Sequence, residues 1–81
     1  MQRGISMNIN QSDIMKRFSE ERRKYGTQEQ LADAIGVNPK TISAFENCRR
    51  TPSLPTFIKM CTVIKADINY VVYGSNNNPD F

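Results

Sequence analysis

Apolar residues in this chain fall into short helical runs separated by Gly, Pro and capping residues. Ile14, Phe18 and Tyr25 are spaced by four and seven, which places them on one face of a helix. Ser12 or Asp13 supplies a side-chain oxygen to cap its start, and Gly26 breaks the run. Thr27 then opens a second helix. Gln30 stands three residues on, so Thr27-Gln28-Glu29-Gln30 forms a capping box. Leu31, Ala32 and Ile35 mark its buried stripe, and Gly36 ends it after about eight residues, at 28–35. Val37 turns inward. Asn38 caps again, and Pro39 takes the first helical position, where its missing N–H costs nothing. The third helix spans about 39–47, with Ile42 and Phe45 inward.

The second half repeats the grammar. Arg49-Arg50-Thr51-Pro52 is a connector. Ser53 caps a fourth helix with Pro55 in its first turn and Phe57, Ile58, Cys61 and Ile64 as its apolar stripe. Lys65-Ala66 ends it. Asp67 caps a short fifth helix, Ile68 to Tyr73, which stops at Gly74. The pattern predicts an all-α fold: one compact five-helix domain over 12–74, a loose N-terminal arm at 1–11 and a polar tail at 75–81. In 81 residues there is room for one domain and a small core.

Charge changes the picture through its placement. Residues 37–66 hold Lys40, Arg49, Arg50, Lys59 and Lys65 against the single acid Glu46, while 67–81 hold only Asp67 and Asp80. The middle of the chain therefore carries a cationic excess that a polyanion can use. Cysteine is limited to Cys48 and Cys61, and there is no His. Two Cys without His do not complete a usual structural zinc site, so no metal or other cofactor is expected. With no His, no Gly-rich phosphate loop and no paired carboxylates, the chain is not expected to be an enzyme or to take a small-molecule substrate. No apolar run approaches a membrane span, and the first ten residues lack the apolar stretch of a secretory signal. A cytoplasmic protein is expected.

The two short helices joined by a Gly-containing turn, at 28–35 and 39–47, form the core of a helix-turn-helix. Ala32 permits close approach of the pair, Ile42 supplies the buried contact, and the outer face of the second helix is free to enter a major groove. The segments Thr27-Gln28-Glu29-Gln30-Leu31-Ala32, Ile35-Gly36-Val37, Thr41-Ile42-Ser43, Phe45-Glu46-Asn47, Thr51-Pro52-Ser53-Leu54 and Tyr73-Gly74 stand in that order. Together they resemble the lambda-repressor/Cro-like helix-turn-helix family over about residues 13–74. That resemblance implies a compact five-helix domain binding operator DNA as a dimer. It implies that Pro39, Lys40, Ser43 and Ala44 face base edges, and that Gln28, Asn47, Arg49 and Arg50 contact the phosphate backbone; Thr41, beside the base-facing set, could serve either backbone or base and is assigned to phosphate. It also implies that Arg22 and Glu46 form a structural ion pair. The chain departs from the family pattern at four places: Cys48 and Lys65 replace turn glycines, Glu21 occupies a usually apolar position, and the turn before Gln28 is one residue shorter.

These readings point to a sequence-specific transcriptional regulator of the phage or prophage repressor type, with double-stranded DNA as partner. One recognition helix of small residues reads few bases, so a homodimer is expected at least on DNA. Its half-sites would lie about one helical turn, roughly 34 Å, apart. Tyr70, Val72 and Tyr73 are the expected contact surface. Two other readings stay open at this point: the antitoxin of a toxin–antitoxin pair, and a protein-interaction module without DNA binding.

Overall fold

Residues 9–74 of the computed structural model are described. Most of the arm expected at 1–11 and all of the tail expected at 75–81 lie outside them. The five helices are α1 (Gln11–Tyr25), α2 (Gln28–Ile35), α3 (Pro39–Glu46), α4 (Leu54–Ile64) and α5 (Ile68–Tyr73), and no strand occurs among the described residues. Helix α2 packs on α3 and α4. Helix α1 runs across the bundle and touches α3, α4 and α5.

Local chemistry sets most of the helix ends. Thr27, Asn38, Ser53 and Asp67 each cap a helix through a side-chain oxygen that accepts a first-turn backbone N–H. At Thr27 the box is complete: Gln30 N–H donates to Thr27 Oγ1 (3.0 Å) and Thr27 N–H to Gln30 Oε1 (2.8 Å). Helix α1 is the exception. Its cap is Asn10, whose Oδ1 accepts from Asp13 N–H at 2.8 Å, so neither Ser12 nor Asp13 caps it. Both sit inside the first turn, where Asp13 is the donor that Asn10 satisfies. Helix α3 ends at Glu46, with Asn47 as its C-cap rather than its last residue.

The core centres on Phe18, Leu31, Ile42, Met60 and Val71, all fully buried. The Phe18 and Phe57 rings lie 6.3 Å apart, tilted at 44°. Truncating Phe18 would cost about 3–5 kcal/mol in transfer and cavity terms. Two of the expected stripes are shifted. On α1 the buried positions are Met15, Phe18, Ser19 and Arg22, while Tyr25 is 41% exposed. On α4 they are Phe57, Met60, Cys61 and Ile64, while Ile58 is 44% exposed. Each observed set follows the i, i+3, i+4, i+7 spacing of one helix face. On α5 the buried residue is Val71, flanked by half-buried Tyr70 and Val72; Tyr73 is exposed.

Helix α5 has six residues, too few to stand alone. Arg17 on α1 secures its end: Nε donates to Val71 O (2.8 Å) and an Nη to Val72 O (2.9 Å). The guanidinium thus occupies carbonyls that the helix C-terminus leaves unpaired.

Candidate nucleic-acid interface

The turn between α2 and α3 brings two helix starts to one side of the molecule. Gly36 lies in the left-handed region at φ 76°, and Val37 N–H returns to Ala32 O at 3.0 Å. A side chain at position 36 would be strained there. Asn38 Oδ1 accepts from Lys40 N–H at 2.8 Å, and Pro39 occupies the first helical position. Ala32 and Ile42 are fully buried where α2 and α3 cross, and at Ala32 any larger side chain would force the helices apart. The shared period of 3.6 leaves Lys40, Ser43, Ala44 and Asn47 on the outer face of α3.

An open cleft of about 600 Å³ joins this face to the start of α2, lined by Arg22, Thr27, Gln28, Glu29, Pro39, Lys40 and Ser43. The structure therefore brings Gln28 together with Pro39, Lys40 and Ser43. Thr41 and Ala44 are half-buried on the same helix but do not line the cleft. Lys40 and Asn47 are exposed, and Asn47 Nδ2 donates to Ser43 Oγ at 3.3 Å. Past the end of α3, Cys48 takes the left-handed conformation at φ 60°, the place where the related pattern has Gly. The turn keeps its shape despite the side chain, at a cost on the order of 1 kcal/mol. Lys65 adopts the same φ of 60° after α4. Arg49 and Arg50 follow Cys48 and are exposed, with the Arg50 guanidinium 5.8 Å from the Phe45 ring centroid.

Beneath the cleft lies a polar hub. Arg22 Nε and Nη2 donate to the two carboxylate oxygens of Glu46 at 2.8 and 2.9 Å, and Arg22 Nη1 donates to Gly26 O at 2.9 Å. Ser19 Oγ (3.1 Å) and Gln28 Nε2 (3.0 Å) also donate to Glu46 Oε1. Both charged side chains are almost fully covered, at 10% and 7% exposure. The pair expected from the resemblance is thus present despite the short turn. Gly26 and Thr27 alone separate α1 from α2. Glu21, at the usually apolar position, is half-buried and pairs outward with Lys24 at 2.9 Å.

Burial by itself would raise the Glu46 carboxyl. The hydrogen bonds from Arg22, Gln28 and Ser19, with the Arg22 charge, outweigh burial and hold it below the usual carboxylate range. Hydrogen bonding to Glu46 raises Arg22 in turn. The single acid of residues 37–66 is therefore neutralised internally. The surface around α3 is left with Lys40, Arg49 and Arg50 as its charges from that segment, and of these Lys40 shares the cleft with Glu29.

Gln28 uses one amide N–H on Glu46 and retains a second N–H and its side-chain carbonyl. Sequence reasoning did not single out Lys16 and Arg23. They line a second cleft beside Asn47 and Cys48, and their spacing of seven on one helix was the available signal. It also missed Gln11, whose amide reaches the Arg50-Thr51 backbone and side chain; no local pattern marks that contact. Among the described residues no group of three or more His, Cys, Asp or Glu is placed to hold a metal ion, and no helix is long and apolar enough to cross a membrane.

A helix-turn-helix family model matches residues 20–71, which contain α2, α3 and α4 in full. Neither a curated protein nor a solved structure matches the chain. The family match covers well over half of the sequence, and the crossed α2–α3 pair, the left-handed turn at Gly36 and the free outer face of α3 are the geometry that such a motif requires. The chain belongs to the Cro/C1-type helix-turn-helix family of DNA-binding transcriptional regulators.

Proposed function

We propose that this regulator is a repressor of the phage or prophage type, acting in the cytoplasm and reading a palindromic operator as a homodimer, without catalysis. The observation that supports it best is the cleft joining Gln28 to Pro39, Lys40 and Ser43. It brings the Gln28 amide beside the outer face of α3; in this reading the two meet a phosphate and base edges respectively. Helix α3 has eight residues, about 12 Å of helix, close to the width of a major groove. In this reading Lys40 contacts a guanine edge, and the small Ser43 and Ala44 let the helix approach closely. Pro39 offers apolar contact to a thymine methyl. Gln28, Thr41, Asn47, Arg49 and Arg50 grip phosphates on either side. Arg22 and Glu46 hold the two helices and Gln28 in register.

The dimer contact is assigned to α5, where Tyr73 is 55% exposed and Tyr70 and Val72 are half-buried. Selection of bound sequences from random DNA tests the whole reading. The expected result is a palindrome whose half-sites lie about one helical turn apart, roughly 34 Å. A single unpaired half-site, with one chain per duplex at saturation in sedimentation, would exclude the homodimer.

A further inference from the structure

The segment that carries Arg49 and Arg50 is neither helix nor strand, yet its backbone is held from two sides. On the inner side Ala44 O accepts from both Arg49 N–H (2.8 Å) and Arg50 N–H (3.2 Å), and Phe45 O accepts from Cys48 N–H (3.1 Å). On the outer side stands one residue from the other end of the chain. Gln11, the first residue of α1, donates from Nε2 to Arg50 O at 3.1 Å, and its Oε1 accepts from Thr51 Oγ1 at 3.1 Å. Both ends of one amide are therefore spent on the peptide and side chain directly after the arginine pair. Gln11 projects from a capped helix start, in which Asn10 binds Asp13.

We infer that Gln11 is a positioning residue for the phosphate grip of Arg49 and Arg50, an inference that rests on the DNA-binding reading above. The reason is conformational. An Arg side chain reaching a phosphate loses rotamer freedom, and that loss grows if the backbone beneath it also moves. Cys48 in the left-handed region makes this stretch the most strained of the interface. With Arg50 O unheld, the Arg50-Thr51 peptide is free to rotate, and the guanidinium now lying over Phe45 loses its fixed root. Gln11 acts through the loop and does not itself touch DNA.

The test uses the full chain and a mixed-sequence duplex, so no operator is needed. Affinity is followed over a salt series for wild type, Gln11→Ala, Thr51→Val, the Arg49→Ala/Arg50→Ala pair, and Gln11→Ala added to that pair. Gln11→Ala is expected to weaken binding by about threefold to tenfold and to make log K less steep in log salt. Thr51→Val, which replaces the hydroxyl by a methyl, is expected to show a smaller loss of the same kind. In the arginine-free background Gln11→Ala should change nothing further, because the groups it positions are gone. A variant that melts earlier but keeps wild-type affinity and salt slope would mean that Gln11 merely stitches α1 to the connector, and the inference falls. An equal loss in the arginine-free background would also overturn it, by showing that Gln11 acts on DNA directly. If wild type itself shows no salt-dependent binding, the underlying DNA reading fails first. If wild type binds and Gln11→Ala is silent, only the positioning role is lost.

Discussion

Replacing Glu46 by Gln tests whether the polar hub holds the reading head together. In the native hub Glu46 accepts from Arg22 twice, from Ser19 and from Gln28, all at 2.8–3.1 Å, with 7% of its side chain exposed. The substituted glutamine keeps the size but turns one acceptor oxygen into an amide donor that faces donors. It also leaves the Arg22 guanidinium with Gly26 O and one weakened acceptor. Uncompensated burial of a charge costs about 3–5 kcal/mol. The retained Gly26 bond and residual solvent contact bring the expectation for Glu46→Gln to about 2–3 kcal/mol. Arg22→Met leaves a covered carboxylate with no cation and should cost the full 3–5 kcal/mol or so. For so small a domain the total is on the order of 5 kcal/mol, so this variant should sit near its unfolding midpoint. Urea unfolding followed by far-UV circular dichroism measures each single variant and the double. The double should cost about 1–3 kcal/mol less than the sum of the singles. Acidity supplies an internal control. Because the folded Glu46 carboxyl lies below its ordinary range, its stabilisation is present above the unfolded Glu value of about 4.3 and is lost as pH falls through the folded value. Wild type should therefore lose stability on acidification, and Glu46→Gln should lack that share. Additive costs, or a Glu46→Gln effect under about 0.5 kcal/mol, would refute the hub as the clamp between α1, α2 and α3.

Three further outcomes are expected. Lys40→Ala should weaken binding to a selected site by about 1–3 kcal/mol and relax preference at one base pair; an equal loss on every sequence in competition binding would move Lys40 from base to phosphate. Cys48→Gly should raise the urea midpoint by an amount worth about 1 kcal/mol, since Gly adopts the observed φ of 60° without penalty, and an unchanged or lower midpoint contradicts the strain argument. With a disulfide thiol reagent, exposed Cys48 should react at once. Cys61, whose thiol burial pushes up to about 11, should react only at the rate of unfolding, and two fast thiols would show that α4 is not packed as described.

Features written in neighbouring residues were legible before the structure was known. The caps at Thr27, Asn38, Ser53 and Asp67 and the stop at Gly36 depend on side chains within a few positions, so sequence alone places them. Helix phase was harder. Tyr25 and Ile58 are apolar, but burial goes to Met15 and Met60, unbranched side chains that thread the irregular gap between helices. Apolar character did not reveal which apolar positions of a helix face inward. On α1 the difficulty is greater, because two of its four buried residues, Ser19 and Arg22, are polar and serve Glu46. At the start of α1 the sequence pattern points to Ser12 or Asp13, and the fold instead begins the helix earlier, with Asn10 as its cap. In the candidate interface the resemblance supplied Arg22 with Glu46, yet Ser19 and Gln28 on the same carboxylate, and Gln11 on the Arg50-Thr51 segment, are tertiary contacts. Their partners lie too far along the chain for periodicity to reveal.

The Arg17 fork on the last carbonyls of α5 makes two distant surfaces share one equilibrium. A helix of six residues has almost no stability of its own, so its folded population is set by its docking on α1, with Arg17 as the latch. Whatever binds Tyr73 and its neighbours draws on that docked population and, by linkage, must tighten the hold of α5 on α1 by the same free energy. Helix α1 also carries Gln11 at one end and Arg22 near the other, the residues that reach the arginine loop and Glu46. Partner binding at α5 should therefore appear as slower amide exchange along α1, on to Gln11 and Arg22 on either side of Arg17. A second subunit would then stiffen the very helix from which each reading head is hung.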